Sequence, residues 1–290
     1  MWSQIQKIEE NESIHSFLPL RSSKMTSFGT NWLLLALALL LLKLSDCATA
    51  DEVSSEKPKV VVRFYGEAQC PFCRKFVTEV WQPIWEDLEL RNYIDYDFVP
   101  WGNAYFATKQ CGSGPYNSVE RACWYKNCIN EQSDGKKDCF DSEAVVYQHG
   151  QKEGDVDVYE SCIKTLFGLD YAVEFTYCAE GPKMDNKSQD SKALMKECAG
   201  LVIPKVDFPA IDECFDLQGR KLEIHNARNT PEHPGVPYVL IEGAPIDDIA
   251  HTKETICKRL EEKALDPLPK ACRSERQSFL RHFFSKIRGT

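Results

Sequence analysis

Residues 59–76 of the chain read KVVVRFYGEAQCPFCRKF, and this stretch is the best guide to its architecture. It opens with alternating β-branched residues, which are typical of a β-strand, here over residues 59–65. A Cys-Pro-Phe-Cys motif follows after a short loop, and its proline suits the first turn of a helix. The stretch therefore predicts a strand, a loop and a helix that carries two cysteines at its start.

The two cysteines of this motif, Cys70 and Cys73, are spaced for thiol–disulfide chemistry. Unpaired backbone N–H groups at a helix N-terminus stabilise a thiolate, and the charges of Arg74 and Lys75 add to that effect. We therefore expect Cys70 to be the nucleophile that attacks a disulfide and Cys73 to resolve the mixed disulfide. A structural disulfide or half of a zinc site is the alternative for such a pair.

The segment after the motif is expected to continue as a helix to about residue 90, followed by a second strand over residues 93–99. Pro83 should bend or interrupt this helix because proline lacks a backbone N–H. Apolar residues at approximately helical spacing predict a buried face made of Phe72, Phe76, Val80 and Leu88. A strand, a CxxC helix and a second strand, in this order, are how a thioredoxin-like fold begins.

The matching end of such a fold lies far downstream, where residues 235–243 read GVPYVLIEG. In thioredoxin-like folds a cis proline at the head of this strand faces the CxxC motif, and the backbone beside it pairs with substrate. We therefore expect Val236 and Pro237 to bind substrate, with Pro237 in the cis form; a trans proline that begins an edge strand is the alternative. A second short strand and an amphipathic helix over residues 247–263 would complete the fold.

Residues 101–234 separate these two parts and are rich in cysteine and in helical patterns, with helices expected over residues 155–166 and 188–201. The predicted fold class is α/β, a thioredoxin-like fold with a large, disulfide-rich, mainly helical insertion. The expected organisation is an N-terminal extension with a signal peptide (1–50), a first thioredoxin-like part (51–100), the insertion (101–234), a second thioredoxin-like part (235–272) and a basic amphipathic tail (273–290).

The N-terminal segment has the pattern of a secretory signal. An apolar run over residues 32–42 is too short to span a bilayer, and Ala48-Thr49-Ala50 fits the small-residue pattern of a signal-peptidase site. We expect a mature chain that begins near Asp51 and has no stable membrane span; a membrane anchor in the N-terminal tail is the alternative. The formal net charge of −9 argues against nucleic-acid binding.

Cysteine usage supports a secreted or lumenal location. The chain has 13 cysteines, and cleavage of the signal segment would remove Cys47 and leave an even number. Besides the CxxC pair, the candidates for structural disulfides, whose pairing the sequence leaves open, are Cys111, Cys123, Cys128, Cys139, Cys162, Cys178, Cys198, Cys214, Cys257 and Cys272. Asn186, in an Asn-Lys-Ser sequon, is the expected glycosylation site.

Several ordered motifs resemble the gamma-interferon-inducible lysosomal thiol reductase family over roughly residues 60–272. The family signature reads Cys-Gln-His-Gly-x2-Glu-Cys-x2-Asn-x4-Cys. Besides the CxxC and Val-Pro motifs, the matching segments are residues 99–104, Gln148-His149-Gly150 with Glu153 and Cys162, residues 175–180, Cys198 with Cys214, and Cys257 with Cys272. Together these motifs are more specific than any one of them.

Three positions depart from that signature. Tyr147 and Gly154 stand where its first two cysteines would be, and Asp157 stands in place of its Asn. Loss of both cysteines together is consistent with loss of one disulfide. The segment 106–146 is also longer than in the family and brings four cysteines, for which we hypothesise two internal disulfides, with a zinc site as the alternative: Cys111, Cys123, Cys128 and Cys139.

The resemblance implies a lumenal thiol–disulfide oxidoreductase that reduces protein disulfides in an acidic endosome, lysosome or vacuole, or after secretion. No metal or nucleotide cofactor is implied. The expected partners are disulfide-containing protein substrates and a small-thiol or protein electron donor. Two alternatives are an oxidase or isomerase of the early secretory pathway, which would use the same site, and a secreted disulfide-rich binding protein whose CxxC is inactive.

Two polar residues near these motifs are open to a catalytic interpretation. A lone histidine is more often a hydrogen-bonded structural residue than an acid–base group, and we expect the structural role for His149. Glu67 is expected to be a solvated loop carboxylate, with a role as proton acceptor for Cys73 as the alternative.

The tail over residues 273–290 combines an apolar helical stripe with basic residues. Packing on the protein's own core or removal as a propeptide is the expected fate of such a stripe, and binding to an anionic membrane or a sorting receptor is the alternative.

Overall fold

A computed structural model describes residues 57–130, 139–181, 190–202 and 204–273. The signal segment, Asn186 and residues 274–290 of the basic tail lie outside these residues. Among the described helices, none has both the length and the apolar character needed to cross a bilayer.

A four-stranded sheet forms the centre of the fold. The β-branched residues of the opening stretch form its strand β1 (Val60–Gly66), with β2 (Ile94–Pro100) parallel on one side and β5 (Tyr238–Ile241) antiparallel on the other. A short strand β6 (Ala244–Pro245) completes the order β2-β1-β5-β6. A parallel pair joined by the CxxC helix, followed by an antiparallel hairpin, is the thioredoxin-like arrangement, so the predicted fold class is confirmed.

The connection from β1 to β2 is a broken helix rather than a regular one. Its helical segments are α1 (Pro71–Lys75), a π-helical turn (Phe76–Trp81), α2 (Gln82–Glu86) and α3 (Leu88–Arg91). Pro83 lies where the π-helical turn changes to α2, and the helix continues past it to Glu86. The helix therefore changes type just before the proline, and it is interrupted only at the extended Asp87.

The predicted buried face of this helix is correct only in part. Phe76 is fully buried, but Phe72 and Leu88 expose 67% and 69% of their surface. Phe72 lies in the first turn of α1, and Leu88 begins the separate helix α3 after the extended Asp87, so neither residue continues the buried face of Phe76. Phe72 is thereby left in solvent between the two cysteines of the motif.

The middle of the chain forms a small two-stranded unit and a group of helices. Strands β3 (Tyr105–Phe106) and β4 (Val145–Val146) pair antiparallel. The helices, in chain order, are α4 (Ser118–Trp124), which runs into a second π-helical turn (Tyr125–Asn130), α5 (Gln151–Phe167), α6 (Leu169–Ala179), α7 (Ser191–Ala199) and α8 (Phe208–Asn229). The final helix, α9 (Thr252–Glu262), follows a short 3-10 turn (Ile249–His251).

Two hydrophobic clusters hold these elements together. The larger joins the sheet and the CxxC helix to α5, α6 and α7, and it includes Phe64, Trp81, Val156 and Phe175. The second lies under the two-stranded unit and is rich in aromatic residues, among them Trp101, Phe106, Trp124 and Tyr147. The region between the two thioredoxin-like parts therefore packs directly on them.

Ten cysteines of the described chain form five disulfides, namely Cys111–Cys123, Cys128–Cys139, Cys162–Cys214, Cys178–Cys198 and Cys257–Cys272. The first two lie within the long segment before β4, as hypothesised from the sequence. Because all four thiols of that segment are in S–S bonds, they are not available as zinc ligands.

Candidate active site

The CxxC motif lies at the carboxyl end of β1, where the chain turns into α1. Cys70 is the N-cap residue of α1, and its carbonyl accepts a hydrogen bond from the backbone N–H of Arg74 at 3.0 Å. Cys73 lies one turn further along and is fully buried, whereas Cys70 retains 5% of its surface exposed. These are the two free cysteines of the described residues, and Cys70 is the more accessible one.

The two thiols differ strongly in acidity. A hydrogen bond from the Cys73 thiol lowers the pKa of Cys70 to about 6; the backbone N–H groups of Cys73 and Phe72 also lower it, against the opposing effects of burial and of Glu67. Burial raises the pKa of Cys73 well above its ordinary value, and the hydrogen bond to Cys70 raises it further. Near neutral pH the site therefore holds one thiolate and one thiol.

The segment predicted to bind substrate lies at the same end of the sheet. Tyr238, the first residue of β5, pairs with Tyr65 of β1, next to the loop that leads to Cys70. The Val236–Pro237 peptide bond immediately before β5 is cis. Val236 and Pro237 are therefore next to the strand end from which the CxxC loop departs.

Two groups for which a non-catalytic role was expected from the sequence lie beside Cys70. The Glu67 carboxylate is fully buried, so the expectation of a solvated loop carboxylate is wrong. Its Oε1 is 3.4 Å from Nε2 of His149. A carboxylate oxygen of Glu67, the Cys70 sulfur and a ring nitrogen of His149 all lie within 4.8 Å of one another. The hydrogen bond to Glu67 raises the pKa of His149, and a hydrogen bond to Cys70 also raises it.

Among the described residues, this cluster is the one set of three His, Cys, Asp or Glu donors close enough to hold a metal ion. The same three groups, a thiol, an imidazole and a carboxylate, are also able to exchange protons at these distances. We therefore interpret the cluster in terms of proton transfer.

Behind the motif lies a set of buried carboxyl groups on α5 and at the end of α6. Burial is the main cause that raises the pKa of Glu153 to about 9 and that of Glu160 to about 8. Burial likewise raises the pKa values of Asp157 and Glu180. Asp157 accepts the backbone N–H of Ala68 at 2.9 Å, which connects this buried set to the CxxC loop.

Comparison with known protein families gives one family match. Residues 61–140, which include the CxxC motif, match the family model described as "Gamma interferon inducible lysosomal thiol reductase (GILT)".

Three similar proteins have related names. "Gamma-interferon-responsive lysosomal thiol protein" of Arabidopsis thaliana is 26% identical over 247 residues, which cover 81% of this chain and 83% of that protein. "Gamma-interferon-inducible lysosomal thiol reductase" of Carassius auratus is 24% identical over 66% of this chain and 62% of its own length. The Mus musculus protein of the same name is 26% identical over 69% of this chain and 68% of its own length.

Two solved structures are distantly similar. BdbD from Bacillus subtilis, in its oxidised form, aligns with a TM-score of 0.42 and 17% identity over 71% of this chain and 90% of that one. DsbA from Chlamydia trachomatis aligns with a TM-score of 0.37 and 11% identity over 72% of this chain and 90% of that one.

Proposed function

Because the chain is a divergent relative of the gamma-interferon-inducible lysosomal thiol reductase family, we propose that it is a thiol–disulfide oxidoreductase that reduces protein disulfides through Cys70 and Cys73. The observation that carries the proposal is the contrast between the two thiols of the motif. The pKa of Cys70 is lowered to about 6, whereas the pKa of the buried Cys73 is raised. One thiol is thus ready to attack as a thiolate while its partner stays protonated until the second step.

The reaction proceeds by two displacements at sulfur. Cys70 Sγ attacks one sulfur of the substrate disulfide, forms a mixed disulfide and expels the other sulfur as a thiolate. The Cys73 thiol then loses its proton and attacks Cys70 Sγ, which expels the second substrate sulfur. The substrate gains two electrons and two protons, and the enzyme ends with a Cys70–Cys73 disulfide that a small-thiol or protein donor must reduce.

Substrate binding is assigned to the surface around the motif. The position of Val236 and Pro237 immediately before β5, next to the end of β1, supports main-chain pairing with an extended substrate there. Main-chain pairing is independent of side-chain identity, so recognition would tolerate many sequences. The exposed ring of Phe72, next to Cys70, offers an apolar contact to unfolded segments of a substrate.

The proposed compartment is an acidic part of the secretory pathway, such as a lysosome, endosome or vacuole, or the exterior after secretion. Five disulfides support an oxidising environment during folding. The acidic compartment is proposed from the names of the similar proteins, which describe them as lysosomal.

The test is reduction of a denatured, disulfide-bonded protein by the chain purified from a secretory host, with an excess of a small thiol, at acidic and at neutral pH. Wild type should be active, Cys70→Ser inactive, and Cys73→Ser should accumulate a mixed disulfide with substrate. Equal inactivity of all three proteins would overturn the proposal and favour a disulfide-rich binding protein.

An oxidase or isomerase is the second candidate, and the low pKa of Cys70 is the observation that favours it. A stabilised thiolate favours the reduced form of the enzyme, which makes the Cys70–Cys73 disulfide more oxidising. Equilibration with glutathione buffers measures the reduction potential of this pair. A potential near those of strongly oxidising enzymes, together with faster oxidation of a reduced substrate than reduction of an oxidised one, would assign the reverse direction.

A further inference from the structure

His149 is presented to Cys70 by a loop that is anchored in two ways. Its backbone N–H donates to Oε2 of Glu153 at 2.6 Å, and the backbone N–H of Gln148 donates to Oε1 of the same carboxyl at 3.3 Å. Gly150 then begins the turn into α5 with a φ of 92°, which a residue with a side chain adopts only with strain. The backbone on both sides of the imidazole is therefore fixed.

Glu67 is fixed just as firmly from the opposite side. Its Oε2 accepts the backbone N–H of Asn103 at 2.6 Å, and its Oε1 accepts the side-chain amide of Asn103 at 3.4 Å. The same amide donates to Oε1 of Gln148 at 2.6 Å, so one asparagine connects the carboxylate to the loop of His149. Gly102, directly before Asn103, lies so close to Glu67 that a β-carbon on it would overlap the Glu67 side chain.

This asparagine is itself held by a buried arginine. Arg121 of α4 donates to the side-chain carbonyl of Asn103 and, at 2.8 Å, to the backbone carbonyl of His233. A buried guanidinium requires hydrogen-bond partners such as these. The position of Arg121, and with it that of Asn103, therefore depends on how the segment between the two thioredoxin-like parts packs. The alignment of Glu67 and His149 thus depends on elements far away in sequence.

We propose that His149 is a catalytic residue of disulfide exchange, an imidazolium that pairs with the Cys70 thiolate and protonates the departing substrate sulfur, with Glu67 and Asn103 as its positioning residues. The proposal rests on the proposed function and assigns a further residue to the same site. The groups that face His149 are Cys70 and Glu67, and Glu153 holds its backbone.

With His149 as the proton donor and acceptor, every proton of the reaction is accounted for. The reduced site holds a Cys70 thiolate, a Cys73 thiol and the His149 imidazolium. Attack by Cys70 expels the first substrate sulfur, which takes the imidazolium proton and leaves as a thiol. The neutral imidazole then accepts the proton of Cys73 as Cys73 attacks Cys70, and passes it to the second departing sulfur. One disulfide and two site protons become an enzyme disulfide and two substrate thiols.

Disulfides with different leaving groups test this role. Alkyl thiols are weak acids and leave slowly without a proton donor, whereas aromatic thiols are acidic and leave as thiolates. Each rate is divided by the rate at which an alkylating reagent modifies Cys70, because alkylation has no leaving thiol and reports only the reactivity of the thiolate. For His149→Gln we expect this normalised rate with an alkyl disulfide to fall on the order of 100-fold. The rate with an aromatic disulfide, normalised in the same way, should change less than about threefold.

The exposed His225, on α8, provides the matched control, and His225→Gln should leave all three rates unchanged. Glu67→Gln should act through His149. The pH above which the alkyl-disulfide rate declines should move downward, because the hydrogen bond that raises the pKa of His149 is weakened. A merely structural carboxyl would not move this pH.

Equal losses with both classes of disulfide in His149→Gln, or no loss with either, would overturn the proposal. Since the imidazole is partly exposed, the variant is expected to fold, and its melting temperature checks this. Inactivity of the wild-type chain towards both disulfides would instead contradict the proposed function, so the two failures are distinguishable.

Discussion

The ring of Tyr147 lies directly over the backbone of Gly154, so closely that a methyl group on Gly154 would overlap it. In the family that the chain resembles, the signature has cysteine at both positions. The two departures therefore form one contact, in which an aromatic ring occupies the space beside a glycine. The Tyr147 hydroxyl also donates to Glu223 of α8, which ties the start of α5 to that helix. The two replacements are therefore neighbours in the folded chain.

Gly154→Ala should destabilise the protein. Alanine normally stabilises a helix relative to glycine, by up to about 1 kcal/mol, but here its methyl group would displace the Tyr147 ring. Overpacking of this kind costs about 1–3 kcal/mol. Urea unfolding measures the free energy, with Gly114→Ala as control because its new methyl group would meet no atom within 4 Å. A variant as stable as wild type would contradict the contact.

The double substitution Tyr147→Cys with Gly154→Cys should form a sixth disulfide in addition to the five described. The far end of the Tyr147 ring reaches the place that a β-carbon on Gly154 would occupy, so the two positions face each other, and a disulfide forms where such β-carbons lie about 3.5–4.5 Å apart. Mass spectrometry after alkylation in denaturant counts the remaining thiols. The single variant Tyr147→Cys should carry one additional alkylated thiol, and the double variant none. Two additional thiols in the double variant would show that the positions are too far apart.

Cys70 should titrate with a pKa of about 6, and Cys73→Ala should raise that value toward the ordinary 9.0, because the hydrogen bond from Cys73 is the largest cause of the lowering. Alkylation of Cys70 near neutral pH should slow on the order of tenfold in this variant, since less thiolate is present. Ultraviolet absorbance of the thiolate measures the pKa. The exposed Lys221, on α8, provides the control, and Lys221→Ala should change little. An unchanged pKa in Cys73→Ala would contradict the hydrogen-bond explanation.

The folded chain should be more stable at about pH 5 than at about pH 8. Burial raises the pKa of Glu160 to about 8, above its unfolded value near 4.5. In this window the native state holds a proton that the unfolded state has lost, so stability falls as pH rises through it. Melting temperatures at both pH values provide the measurement.

Glu160→Gln isolates that contribution. Glutamine is neutral at every pH, so the variant should lose less stability than wild type between about pH 5 and about pH 8, by on the order of a few kcal/mol. The exposed Glu213 is the control, and Glu213→Gln should retain the pH dependence of wild type. A Glu160→Gln variant with the wild-type pH dependence would show that this carboxyl is not the source.

Most of the sheet could be predicted from the sequence because its signals are local. The β-branched run of β1 and the apolar run of β5 specify extended chain whatever surrounds them. The predicted helices over residues 155–166 and 188–201 correspond to α5 and α7, within a few residues at each end. The exposure of Phe72 could not be predicted, because helical spacing alone does not show which part of a helix packs on the core.

The candidate site likewise contains residues that local sequence predicts and residues that only the fold brings together. Cys70 and Cys73 are neighbours in sequence, so their spacing alone predicts a dithiol at a helix start. Glu67 and His149 meet only in the folded chain, through hydrogen bonds of Asn103 and Glu153. Cysteine pairing is of the same kind, since Cys162 and Cys214 are joined across 52 residues. Local propensity acts over a few residues of chain, whereas contacts between distant residues depend on how the whole core packs.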